Sequence, residues 1–116
     1  MTKITKKTLE KLGVLEEIER YLKVLKENHI KPEKVILFGS FAKNKNRDYS
    51  DIDLAIVSSE FEKDLIEAMM TLSKLTIDVA DRIEPIALTP KDLKKKYHPL
   101  IGEIKKYGKV VYSTTT

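Results

Sequence analysis

Asp51 and Asp53, alternate residues of Ser50-Asp51-Ile52-Asp53-Leu54, are the side chains of this sequence best suited to chemistry. In an extended strand side chains alternate between faces, so both carboxylates point one way and Ile52 and Leu54 the other. They are spaced about 7 Å along the strand and repel each other unless a cation lies between them. Magnesium is a hard ion that takes a few carboxylates together with substrate phosphates, so the pair suits metal-assisted phosphoryl or nucleotidyl transfer. A bare Asp-x-Asp pair also suits an exposed edge strand with one polar face. The upstream Gly39-Ser40 turn tips the balance toward catalysis. Gly39 can adopt a backbone closed to other residues. Ser40 can cap a short helix and offer its hydroxyl to a phosphate oxygen, where helix-start N–H groups favour anions. A two-metal centre needs a third acid, and the candidates are Asp78, Asp81 and Glu84.

Those residues have to be held by a small scaffold. The chain has 116 residues and a mass of 13.3 kDa, which predicts one compact domain over residues 1–116 with a modest core. Leu12, Leu15, Ile18, Tyr21, Leu22 and Leu25 follow helical spacing and predict an amphipathic helix from about residue 8 to about 28, weakened at its start by Gly13. Val35-Ile36-Leu37-Phe38 reads as a buried strand closed by Gly39, residues 44–49 as a polar loop, and residues 51–56 as a second strand. Phe61, Leu65, Ala68, Met69, Leu72 and Leu75 mark a second long helix, with Ile66 and Met70 widening its apolar surface. Residues 82–88 read as a third strand. Thr89 as N-cap and Pro90 as first helical residue predict a basic helix ending near Tyr97. A short helix over about 100–106 and a last strand at 110–112 complete the order. The fold class is α+β or α/β, a small mixed sheet flanked by helices.

Composition bounds the function. With 41% hydrophobic and 34% charged residues and no cysteine, the chain has no disulfides or thiolate metal site, and it fits a reducing, cytoplasmic setting. The N-terminus lacks a signal-peptide core, and no apolar run approaches a membrane span. Net charge is +4, distributed as +2 over residues 1–30, −3 over 31–88 and +5 over 89–116. An acidic centre followed by a basic tail suits a cation site beside an anion site, or a solvated lysine-rich helix at Lys94-Lys95-Lys96. His29 reads as a helix-end residue and His98 as a loop residue. No Walker-type phosphate loop is present. Direct nucleic-acid binding is not expected, because no aromatic platform interleaves the basic tail.

Gly39-Ser40, then Ala42-Lys43, then Ser50-Asp51-Ile52-Asp53-Leu54 resembles the signature of DNA polymerase β-like nucleotidyltransferases. In length and element order the whole chain is similar to the minimal nucleotidyltransferases (MNT), the antitoxin partners of HEPN-domain toxins. The resemblance implies the polymerase β-like nucleotidyltransferase fold. It implies that Gly39, Ser40, Lys43 and Ser50 hold the nucleotide, and that Asp51 and Asp53 bind magnesium, with two metal ions in the site. It also implies a third carboxylate that completes the metal site and helps to activate the attacking hydroxyl. Glu84 is placed ahead of Asp78 for that role because it precedes the loop into the next helix. Lys43 stands where arginine is more usual and keeps the charge but loses the bidentate fork. Asn44 stands where many relatives have glycine.

The resemblance further implies AMP transfer from ATP to a tyrosine of a partner HEPN toxin. The alternatives are a non-catalytic antitoxin that occludes a partner RNase, and transfer to a small molecule. The acceptor site is expected from a second protein or a second copy of the chain. The apolar faces of the helices around 12–25 and 61–75 are candidate docking surfaces.

Overall fold

A computed structural model of the chain describes residues 13–43 and 50–114. The order is α1 (Val14–Glu27), β1 (Lys34–Phe38), β2 (Ile52–Val57), a 3-10 turn (Ser59–Glu62), α2 (Leu65–Lys74), β3 (Ile83–Leu88), a 3-10 turn (Asp92–Lys94), α3 (Pro99–Tyr107) and β4 (Lys109–Ser113). The strands form one mixed sheet, ordered β3-β2-β1-β4. β1 runs antiparallel to β2 and to β4, whereas β2 and β3 are parallel. β2 is therefore an interior strand, so Asp53 does not lie on an exposed edge; the strand expected over residues 51–56 begins at Ile52, one residue after Asp51.

The pleat sorts side chains onto two faces, and each face has its own core. Val35, Leu37, Ile52, Leu54, Ile56, Ile83 and Ala87 pack against Val14, Ile18, Tyr21 and Leu25 of α1 and Leu72 of α2. Ile36, Phe38, Ala55, Val57 and Leu88 face the other way, where Ile101 and Ile104 of α3 cover them. The continuous apolar run of β1 is explained by this burial on both sides. Across the first core the Tyr21 hydroxyl donates to the Leu72 carbonyl at 2.8 Å, tying α1 to the last turns of α2. Burial pushes that phenol well above its ordinary range. Pro85 lies on the edge strand β3, where a missing N–H is tolerated.

Three expected elements differ. The helix expected from residue 61 begins at Leu65, because Asp64 is extended and accepts from the Glu67 N–H at 2.9 Å as its N-cap. Phe61 belongs to the separate 3-10 turn. The basic helix expected from Thr89 to Tyr97 is only one 3-10 turn. Thr89 and Asp92 cap each other as the sequence suggests, but Leu93 is the sole apolar residue between Lys91 and Lys96. No stripe exists to hold a longer helix down. Tyr97 then adopts a positive φ of 62°. The third difference concerns His98, read as a loop residue: its ring accepts from the Ile101 N–H as the N-cap of α3. The start of the first helix expected near residue 8, and the polar loop 44–49 with Asn44, lie outside the described residues. Among those described, no helix is long and apolar enough to cross a membrane.

The docking surfaces resolve unequally. On α1 the apolar residues turn inward, with Leu15 and Leu22 packed against the core. On α2, Leu65, Ile66 and Met70 stay exposed, and Ile77 in the following turn joins them.

Candidate active site

The aspartates sit where β2 begins, on the face that α3 only partly covers. Asp53 lies between Phe38 of β1 and Glu84 of β3 in the sheet register. The pleat puts the side chains of these three residues on one face. Asp51 immediately precedes β2 and is exposed, as is Glu84, while Asp53 is half-buried. The Ile52 N–H donates to the Arg82 carbonyl at 2.7 Å, which fixes the start of β2 against β3.

Gly39 follows β1 and meets Asp53 directly. A Cβ placed on it would lie 2.0 Å from Asp53 Oδ2, and its φ is +75°. Space and backbone both demand glycine there. The chain then turns, and the Lys43 N–H closes the turn on the Gly39 carbonyl at 3.1 Å. Ser40 lies in this turn; the structure shows a turn over residues 40–43 rather than the short helix expected after it.

Electrostatics single out Asp53. Burial, then the charges of Asp51, Glu84 and Glu103, push its carboxyl from the usual 3.8 up to about 6. Among the described residues no three acidic or imidazole side chains form a closed metal cluster. The donors nonetheless fit a magnesium ion. They are all hard carboxylate oxygens, two of them exposed, and their repulsion is what a cation would relieve. Magnesium keeps waters and substrate oxygens in its shell, so an open set of one or two carboxylates suffices.

The other expected site residues divide. Glu84 stands beside Asp53. Asp78 is exposed in the turn after α2, and Asp81 is exposed just ahead of Arg82; neither is among the charges acting on Asp53. Ser50 is half-exposed next to Asp51. Lys43, expected on phosphate, is ion-paired with Glu103 of α3, its Nζ 5.5 Å from the centre of the Tyr107 ring.

Residues 16–116 match the family described as Polymerase beta, Nucleotidyltransferase. The chain belongs to this family. It is 34% identical over 83 residues to a protein of Methanocaldococcus jannaschii provisionally named a protein adenylyltransferase. That match covers 67% of this chain, which spans 56% of the relative's length. The fold is shared with a Sulfolobus solfataricus structure provisionally described as a nucleotidyltransferase (TM-score 0.65, 19% identity, 86% of this chain and 80% of the other). It is also shared with a toxin-antitoxin structure with AMP-PNP (TM-score 0.59, 23% identity, 87% and 74%). A third structure is the tri-AMPylated Shewanella oneidensis HEPN toxin with its MNT antitoxin (TM-score 0.56, 22% identity, 85% and 71%).

Two features of this nucleotidyltransferase domain were not among the expected site residues. Glu103 pairs with Lys43 and adds its charge to those acting on Asp53, from a helix 50 or more residues further along the chain. Its only sequence signal was that residues 93–116, otherwise basic, contain this one acid. Arg82 braces the site from below. Its Nε donates to Glu17 at 2.7 Å, and its guanidinium lies 5.7 Å from the Phe41 ring centre. α1, the base of β3 and the 39–43 turn are thereby joined.

Proposed function

We propose that this chain is a minimal nucleotidyltransferase that moves AMP from ATP to a hydroxyl of a partner protein, a tyrosine of a HEPN-domain toxin. The observation that carries this reading is the juxtaposition of Asp53 and Glu84 across the parallel strands, with Asp51 two residues from Asp53 and the Gly39 backbone against the Asp53 carboxylate. Like charges brought together repel, and a carboxyl raised by its acidic neighbours is a feature that active sites share.

In this reading Asp51 and Asp53 hold magnesium, and Glu84 is the third carboxylate. Bound magnesium supplies polarisation of the α-phosphate and neutralises charge on the departing pyrophosphate. The Gly39–Lys43 turn and Ser50 receive the triphosphate. The acceptor oxygen forms its bond to the α-phosphorus, the bond to the bridging oxygen breaks, and pyrophosphate leaves. Glu84, exposed and adjacent, accepts the acceptor's proton. Asp78 stands away from this chemistry.

Holding the acceptor is the role assigned to the partner. Leu65, Ile66, Met70 and Ile77 give that partner an apolar surface. Support comes from relatives and neighbours named for adenylyl transfer to proteins and for toxin-antitoxin complexes.

The test is intact-mass spectrometry of the protein encoded beside this one, after incubation with this chain, ATP and magnesium. Mass gains of one or more AMP units, absent with Asp53→Ala, support transfer. A tight complex without any mass gain overturns it and favours neutralisation by occlusion.

A further inference from the structure

Among the described residues, the Lys43–Glu103 pair is the one ion pair that joins the glycine turn to a helix beyond the catalytic strands. α3 buries Ile101 and Ile104 against the sheet. Glu103 and Tyr107, one helical turn apart, therefore share another face, and both touch Lys43. The backbone of Lys43 closes the turn that begins at Gly39, and Gly39 rests on the Asp53 carboxylate. A continuous path of contacts thus runs from Asp53 through the turn to α3. The side chains of Lys43 and Glu103 are 27% and 30% exposed, so the pair is half-shielded from solvent and more than a surface accident.

Lysine carries three N–H donors on a flexible four-carbon stem. Left alone, it would sample many positions and lose rotamer freedom when a nucleotide arrived. Glu103 occupies one donor, and the Tyr107 ring supplies a face for the ammonium. Among the described residues the bond to Glu103 is the ammonium's one hydrogen bond, which leaves two donors for phosphate oxygens.

We propose that Glu103 is a positioning residue for nucleotide binding: through Lys43 it presents a pre-oriented ammonium to the triphosphate from the turn that begins at Gly39. Glu103 is thus assigned neither to the metal nor to the proton transfer. The inference rests on the nucleotidyltransferase reading above.

The competing roles for Glu103 predict opposite results. As a bare negative charge it repels ATP, and its removal tightens binding. As a positioning residue it helps ATP, and its removal weakens binding, but only while Lys43 is present. The experiment is a double-mutant cycle with Glu103→Gln and Lys43→Met, measuring KM for MgATP and kcat in AMP transfer, and direct binding of a non-hydrolysable ATP analogue with magnesium. Expected is a rise of about fivefold in KM and analogue Kd for Glu103→Gln with kcat within twofold, the size of one weakened charge-assisted hydrogen bond. In the Lys43→Met background the same substitution should change neither constant. Glu103→Asp should recover part of the loss.

Unchanged or tighter nucleotide binding by Glu103→Gln overturns the inference, as does an equal effect in both backgrounds. A fall in kcat alone does so too, and would make Glu103 part of the chemistry. If the unsubstituted protein binds no MgATP, the nucleotidyltransferase reading fails first and takes this inference with it. Thermal unfolding of each variant separates these outcomes from loss of fold.

Discussion

Removing the charge of Asp53 should stabilise the protein while destroying its activity. The carboxyl is raised from 3.8 to about 6, chiefly by burial and then by Asp51, Glu84 and Glu103. The folded group holds its proton more tightly than the unfolded one. Folding is therefore penalised wherever the folded group is ionised, in full above pH about 6 and fading to nothing below pH about 4. At 1.36 kcal/mol per tenfold change in proton affinity, the rise corresponds to about 3 kcal/mol. Asp53 is only half-buried, and solvent screening reduces this to about 1 kcal/mol. Asp53→Asn keeps shape and loses charge. In chelator at pH 8 it should melt about 5 °C above the unsubstituted protein, a gap that closes by pH 4. Magnesium should raise the melting temperature of the unsubstituted protein and leave the variant unmoved. A variant that melts at or below the original in chelator at pH 8 would refute the claim that burial and the neighbouring acids make the Asp53 charge costly to the fold.

Other substitutions probe the remaining links. Gly39→Ala must displace the Asp53 carboxylate and adopt an unfavourable φ; it should cost about 2 kcal/mol or more in denaturant unfolding and abolish transfer. Tyr21→Phe orphans the Leu72 carbonyl and should cost about 1–2 kcal/mol in the same assay without changing KM for ATP. Glu84→Gln should lower kcat by about a hundredfold or more, whereas Asp78→Asn should stay within twofold; the reverse ranking would move the third carboxylate to Asp78. Ile66→Asp with Met70→Asp should weaken partner binding at least tenfold, measured by calorimetry, while the protein's melting temperature holds.

Much of the site was legible because it is local. Gly39, Asp51 and Asp53 stand out by spacing, and the alternation from Ile52 identifies the face that Asp53 takes, while Asp51 lies just ahead of the strand. Glu84 needed the parallel register of β2 and β3, which sequence order suggests but does not prove. The pairing of Lys43 with Glu103 was not legible. It joins residues 60 positions apart through the packing of α3 on β1, and no periodicity encodes which turn of a helix meets which loop. The missing basic helix shows the opposite failure. Thr89, Pro90 and Asp92 make a good start signal, but a helix also needs an apolar stripe to bury, and residues 91–96 provide only Leu93.

The most direct measurement is to incubate the chain with magnesium, its genomic neighbour and ATP labelled either on the α- or on the γ-phosphate. Label from the α-phosphate alone should become attached to the neighbour, and Asp53→Asn and Glu84→Gln should each abolish it. Attachment of the γ-label, or α-labelling that survives both substitutions, would contradict nucleotidyl transfer by these carboxylates.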